Sequence, residues 1–163
     1  MPSFQTLVQS KTRFNLFLLT RLPAAYFSGL RMRFCTDAEC VVDVPFRWFT
    51  QNPFRSTYFA CLSMAAELST GALCMQYIYG THTPVSMLIT ANTGRYFKKA
   101  TGITRFTCSE GAAIKRTIDA ALQGGAPQEF TATSIGRNEA GEIVAEFSFT
   151  WSFKAKTAKA NAI

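Results

Sequence analysis

Between Arg55 and Arg95 the chain carries one formally charged side chain, Glu67. The stretch from about Ser56 to Tyr79 reads as a long helix that is apolar or small on nearly every side. Ala60, Ala65, Ala66, Gly71 and Ala72 leave room for neighbours to approach closely. A helix without a polar face has to be buried, either in the core of a domain or in a bilayer. Its length would just reach across a membrane. Ser63, Glu67, Ser69, Thr70 and Gln76, together with amphipathic strand patterns on both sides, instead predict a buried helix and no membrane span.

Those flanking patterns define the rest of the fold. Phe4, Leu7, Val8, Phe14, Leu18, Leu19 and Leu22 recur at three- and four-residue steps, predicting an amphipathic helix that Pro23 ends. Basic residues flank its apolar stripe, so a bilayer surface is one possible resting place, and packing on its own domain is the expected one. From Leu30 the period becomes two. Leu30, Met32 and Phe34, then Cys40, Val42, Val44 and Phe46, predict an antiparallel hairpin whose other face, with Asp43 and Arg47, is solvated. Beyond the long helix, strands are expected at 85–97, 103–108, 130–137 and 143–153, with a short helix at 112–122 stopped by Gly124-Gly125. The sum is an α+β domain with a mostly antiparallel sheet curled around one apolar helix. No linker or repeat divides residues 1–163: an N-terminal helical segment at 1–28, a core at 29–154 and a basic tail at 155–163.

Composition narrows the partners. Seventeen Lys and Arg against ten Asp and Glu give +7 at pH 7, a surface suited to an anionic ligand. No recognition helix or aromatic-basic motif supports nucleic acid. Five cysteines without a CxxC pair and a single histidine, His82, predict no metal set. Reduced thiols and the lack of a sustained apolar leader predict a cytoplasmic protein.

Glu67 is the candidate for chemistry. An unpaired carboxylate in an apolar helix must raise its pKa, find an Arg or hydroxyl partner such as Ser63 or Thr70, or face a cavity. The second candidate is the start of the same helix, Asn52-Pro53-Phe54-Arg55-Ser56-Thr57, whose free amides suit an anion or oxyanion. Tyr58 and Glu67 are nine residues apart, about 13 Å along a helix. They can share a site only if two antiparallel copies of the helix meet across a two-fold axis.

The strand–strand–helix–strands order and the stretch Asn52 to Glu67 resemble the hotdog fold, in particular phenylacetyl-CoA-type thioesterases and an uncharacterised DUF4442-type branch. In that family an Asn precedes the helix, a His-Gly-Gly follows six residues later, and an Asp or Glu lies nine beyond the His. Here Asn52, Tyr58-Phe59-Ala60 and Glu67 keep both spacings, with Tyr58 in place of the His and Phe59-Ala60 in place of the glycines. The resemblance implies acyl-CoA thioester hydrolysis in a homodimer, either alone or paired into a dimer of dimers, and no cofactor beyond the CoA of the substrate. Glu67 would activate water or attack the carbonyl. The Phe59 N–H would stabilise the oxyanion, Asn52 would orient water or thioester, and Ser86 would assist from the next strand. Tyr58 would line the substrate site, and Arg95, Lys98, Lys99 and Arg105 would meet CoA phosphates. The altered His-Gly-Gly stretch also allows a non-catalytic module that binds an acyl chain or acyl-CoA.

Overall fold

The computed structural model describes residues 4–156. The end of the expected basic tail, residues 157–163, lies outside the described residues, as do residues 1–3 of the N-terminal segment. Where one N-terminal helix is expected there are three: α1 (Phe4–Gln9), α2 (Lys11–Arg21) and α3 (Pro23–Phe27). Ser10 breaks the first from the second, its hydroxyl accepting from the Arg13 amide at 3.5 Å as an N-cap does. Pro23 occupies the first position of α3, where the missing N–H is harmless, so the residue that stops one helix also starts another.

The hairpin follows as β1 (Arg31–Cys35) and β2 (Cys40–Val44), then the long helix α4 (Phe59–Ile78), β3 (Val85–Tyr96), β4 (Thr104–Cys108), α5 (Gly111–Gly124), β5 (Gln128–Arg137) and β6 (Ile143–Ala155). The strands form one antiparallel sheet in the order β1-β2-β4-β5-β6-β3. α4 lies against β2, β4, β5 and β6, and α5 packs beside it on β5 and β6. A curled antiparallel sheet holding one long helix is the hotdog fold.

The alternation in β6 is clear: Ala145, Phe147, Phe149, Trp151 and Phe153 are buried. Leu62, Ala65, Ala66, Leu73 and Cys74 meet that core from α4. A buried polar contact between helix and sheet is satisfied, Ser69 Oγ lying 2.7 Å from Ser134 Oγ. All five thiols are free, and four are buried.

One expectation is corrected in the hairpin. β2 has no solvated face; every residue of it is buried, Asp43 included. Asp43 stands directly across from Arg105 on β4 and next to β1, and its carboxylate accepts from Arg105 Nε at 2.9 Å and from Arg33 Nε. The two arginines carry their charges half in solvent and cover the buried acid.

The turn of this hairpin is fixed to α5 by close backbone approach. The Gly111 N–H donates to Ala38 O at 3.0 Å, and a Cβ on Gly111 would stand 1.9 Å from Asp37 O. Gly111→Ala therefore forces backbone apart, and a loss of about 1–3 kcal/mol is expected in a denaturant titration. An unchanged midpoint would show that the turn and α5 are not held together in solution.

Candidate active site

The first half of the site is the tip of α4. Asn52 organises the approach. Its Oδ1 accepts from the amides of Phe54 (2.9 Å) and Ser56 (3.2 Å), and its Nδ2 donates to Ser56 Oγ (3.1 Å). This closes a tight turn in which Arg55 takes φ 58°. The chain then returns antiparallel: the Thr57 N–H donates to Ala100 O at 2.8 Å and the Tyr58 N–H to Thr50 O at 2.7 Å. Helix geometry starts only at Phe59, not at Ser56, because residues 52–57 are engaged in these contacts.

At that tip the amides of Phe59 and Ala60 have no intrahelical partner, as the first turn of any helix dictates. The tip borders a cleft of about 490 Å³ whose walls include Asn52, Tyr58, Phe59, Tyr96, Lys98 and Lys99. The Tyr58 and Phe59 rings meet edge to face at 4.9 Å, and both are exposed. Lys99 Nζ donates to Phe54 O at 3.3 Å, and Lys98 pairs with Glu142. The cleft is thus cationic on one side and aromatic on the other.

The second half is Glu67. Ala60, Ser63, Met64 and Glu67 are half-buried, while most of the helix between and beyond them is buried. They form one stripe at helical spacing that the chain's own sheet leaves open. The Glu67 carboxylate lies back along α4 beside Gly71: a Cβ on that glycine would stand 3.2 Å from Oε1 and 3.3 Å from the Trp151 ring. Trp151 is itself fixed, its indole N–H donating to Thr70 Oγ1 at 3.0 Å, while the Thr70 hydroxyl donates to the Glu67 backbone carbonyl at 3.0 Å. Thr70 therefore braces the backbone and the ring, not the carboxylate. Among the described residues no salt bridge reaches Glu67. Burial pushes its pKa up to about 7.

The other sequence-predicted residues divide. Asn52, Tyr58, Phe59, Lys98 and Lys99 come together at the cleft. Glu67 lies along α4 from it, at the distance that the sequence spacing demands. Ser86 is exposed on β3 opposite Lys154, while the next pair, Met87 and Phe153, faces the core. Ser86 therefore points away from α4, and a single chain does not bring it to Glu67. Arg95, opposite Glu146 on β3, is outside the cleft walls. Arg105 is outside them as well and is held by Asp43, which raises its pKa further. His82 is exposed in the turn after α4. The sequence offers Thr70 only as a partner for the carboxylate, and it does not point to Trp151 or Gly71 as site residues. The available signal is a glycine one helical turn beyond the only acid of α4, where a side chain would crowd the carboxylate.

Among the described residues no group of three or more His, Cys, Asp or Glu is placed to hold a metal, and no helix is long and apolar enough to cross a membrane.

Solved structures of the same shape share little sequence with this chain. A Pseudomonas aeruginosa protein of unknown function, termed a probable thioesterase, superposes with a TM-score of 0.75 at 22% identity, over 89% of this chain and 96% of its own. A putative thioesterase from Shewanella oneidensis gives 0.69 at 14% identity, over 90% and 97%. A thioesterase from Haemophilus influenzae gives 0.67 at 11% identity, over 93% and 95%. At such identities the likeness is one of fold. No protein of curated function matches the sequence. The family described as "Domain of unknown function (DUF4442)" matches residues 11–153, from the start of α2 to within two residues of the end of β6, and the chain belongs to it.

Proposed function

We propose that the protein hydrolyses acyl-CoA thioesters at a site shared by two copies of the chain. The observation that carries this reading is Glu67: a half-buried carboxylate with no cationic partner among the described residues, poised near neutral pH, on the one stripe of α4 that its own sheet leaves open. Such a group suits general-base work at pH 7. The probable thioesterases among the structural neighbours support the same chemistry.

The Glu67 carboxylate accepts a proton from water, and the water oxygen bonds to the thioester carbon. The carbonyl oxygen becomes an oxyanion at the Phe59 N–H of the other copy, where the helix tip adds partial positive charge. Collapse breaks the C–S bond; the proton held by Glu67 passes to the CoA sulfur, leaving a carboxylic acid and CoA thiol. Lys98 and Lys99, at the cleft rim, meet CoA phosphates, and the aromatic wall receives a hydrophobic acyl group. Asn52 acts by holding the turn that presents the amides. This route makes no use of Ser86, Arg95 or Arg105 and needs no cofactor.

Edge strand β3 supports the shared site. It lies at the end of the sheet with residues 91–97 all exposed. Its Ile89 sits opposite Trp151, the ring beside Glu67. A second copy added along this edge would cover the open stripe and bring its own helix tip toward the acid.

The test is release of free thiol from acyl-CoA substrates of short, medium and long chain, with Glu67→Ala as control. Turnover on hydrophobic acyl chains that disappears in the variant is expected. Turnover that survives the substitution removes this mechanism. The rings of Tyr58 and Phe59 around the helix tip favour one second reading, a module that binds acyl-CoA without cleaving it, which would show saturable binding and no thiol.

A further inference from the structure

Lys11, Arg13, Arg21, Arg31 and Arg33 all precede the first acidic residue of the chain, Asp37. The helical layer α1–α3 is therefore cationic with no internal counter-charge. Lys11, Arg13 and Arg21 are exposed and lie in no salt bridge among the described residues.

The outward face of the same layer exposes large apolar side chains. α2 buries Phe14 and Leu18 against the domain, so its opposite face would ordinarily be polar. Leu16 and Leu19 stand there instead, 60% and 41% exposed. Leu22 and, from α3, Tyr26 and Phe27 continue the apolar surface, the two rings meeting edge to face at 5.5 Å. Phe27 approaches Phe49, whose neighbour Trp48 is 83% exposed.

We propose that the α2–α3 face docks the protein on an anionic bilayer surface. Leu16, Leu19, Leu22 and Phe27 enter the boundary between headgroups and acyl chains, while Arg13, three residues before Leu16, and Arg21, at the end of α2 next to Leu22, meet lipid phosphates. Apolar side chains bordered by cations are the pattern of interfacial helices. Charge selects this occupant over a second copy of the chain: two such faces would bring cations together with no acid between them. A nucleic acid would satisfy the cations and leave the leucines in water. Docking through this face is independent of the hydrolase reading.

Co-sedimentation of the full chain with vesicles tests it. Vesicles of phosphatidylcholine with phosphatidylserine should carry the protein down, and phosphatidylcholine alone should bind it about tenfold or more weakly. Added salt should release it. Leu16→Ser with Leu19→Ser, and separately Arg13→Glu with Arg21→Glu, should each weaken binding about tenfold or more, with unchanged melting temperature and gel-filtration elution because the altered side chains are exposed. Three results would overturn the proposal: no sedimentation with anionic vesicles, sedimentation that the serine pair leaves intact, or a serine pair that moves elution from a larger species to a smaller one, which would make the face a contact between copies.

Discussion

Glu67→Gln is expected to lower thioester turnover about a thousandfold at pH 8 while making the folded protein more stable at that pH. Both effects come from one property of the site. Burial without a compensating cation lifts the carboxyl from its ordinary value of 4.5 to about 7. Below pH 4.5 the group is neutral whether the chain is folded or not. Between 4.5 and 7 the unfolded chain has released the proton and the folded chain still holds it, so stability falls as pH rises through this window. Above pH 7 the folded protein carries a carboxylate that would be better solvated in water, a handicap on the order of 3 kcal/mol. Glutamine keeps the shape and has no charge to desolvate, so its stability should be level across the same window. Denaturant titrations of both proteins at pH 5 and pH 8 measure the difference. In the wild type, kcat/KM should climb with pH to a plateau, with its midpoint near 7, as the base loses its proton. A glutamine variant that is less stable than wild type at pH 8 would mean the carboxylate has a partner that stabilises its charge, and the general-base role would go with it.

How far such a site can be seen in a sequence depends on the distance over which its parts are held. Glu67 is legible because its oddity is local: one charge in an apolar helix needs no partner to be noticed. The hairpin β1–β2, the boundaries of β3 and the alternation of β6 are legible for the same reason, since period-two patterns arise within a single strand. Asp43 is misread because a lone strand gives no hint that Arg105 from β4 will stand opposite; alternation alone assigns every charge to solvent. The start of α4 is misplaced by three residues for a similar reason. Ser56 and Thr57 look like caps, yet they are drawn into contacts with Asn52 and with Ala100, the latter 43 positions away. That return of the chain after β3 also creates the cleft and brings Lys98 and Lys99 to the helix tip, so the cleft could not be read from the motif. In the N-terminal segment the apolar spacing carries through Ser10 and Pro23, and it takes the capping chemistry of those two residues to show that one periodicity serves three helices.

Mixing two inactive variants should restore activity, and this is the sharpest consequence of a shared site. The first partner is Glu67→Gln, which lacks the base. The second is Phe59→Pro, which lacks the amide proposed to hold the oxyanion. Proline is tolerated at the first position of a helix, where the N–H has no intrahelical acceptor to lose. Tyr58, the residue before it, already has φ −60° and ψ 135°, the extended geometry that precedes proline without a clash. The fold should therefore survive, while loss of one oxyanion donor should lower kcat about a hundredfold or more. In a dimer with one copy of each variant, one of the two sites receives both substitutions and is inactive. The other combines Glu67 of the proline variant with the intact Phe59 N–H of the glutamine variant, and is wild type. Random reassortment of equal amounts makes half the dimers mixed, each with one working site, so about a quarter of wild-type activity should return. Denaturing and refolding the two together, against each refolded alone, measures it. If both groups acted within one chain, every chain would lack one of them and mixing would restore nothing. Because α4 is stiff and holds its own tip about 13 Å from Glu67, one chain cannot supply both groups, and recovery near a quarter is the outcome expected of the proposed shared site.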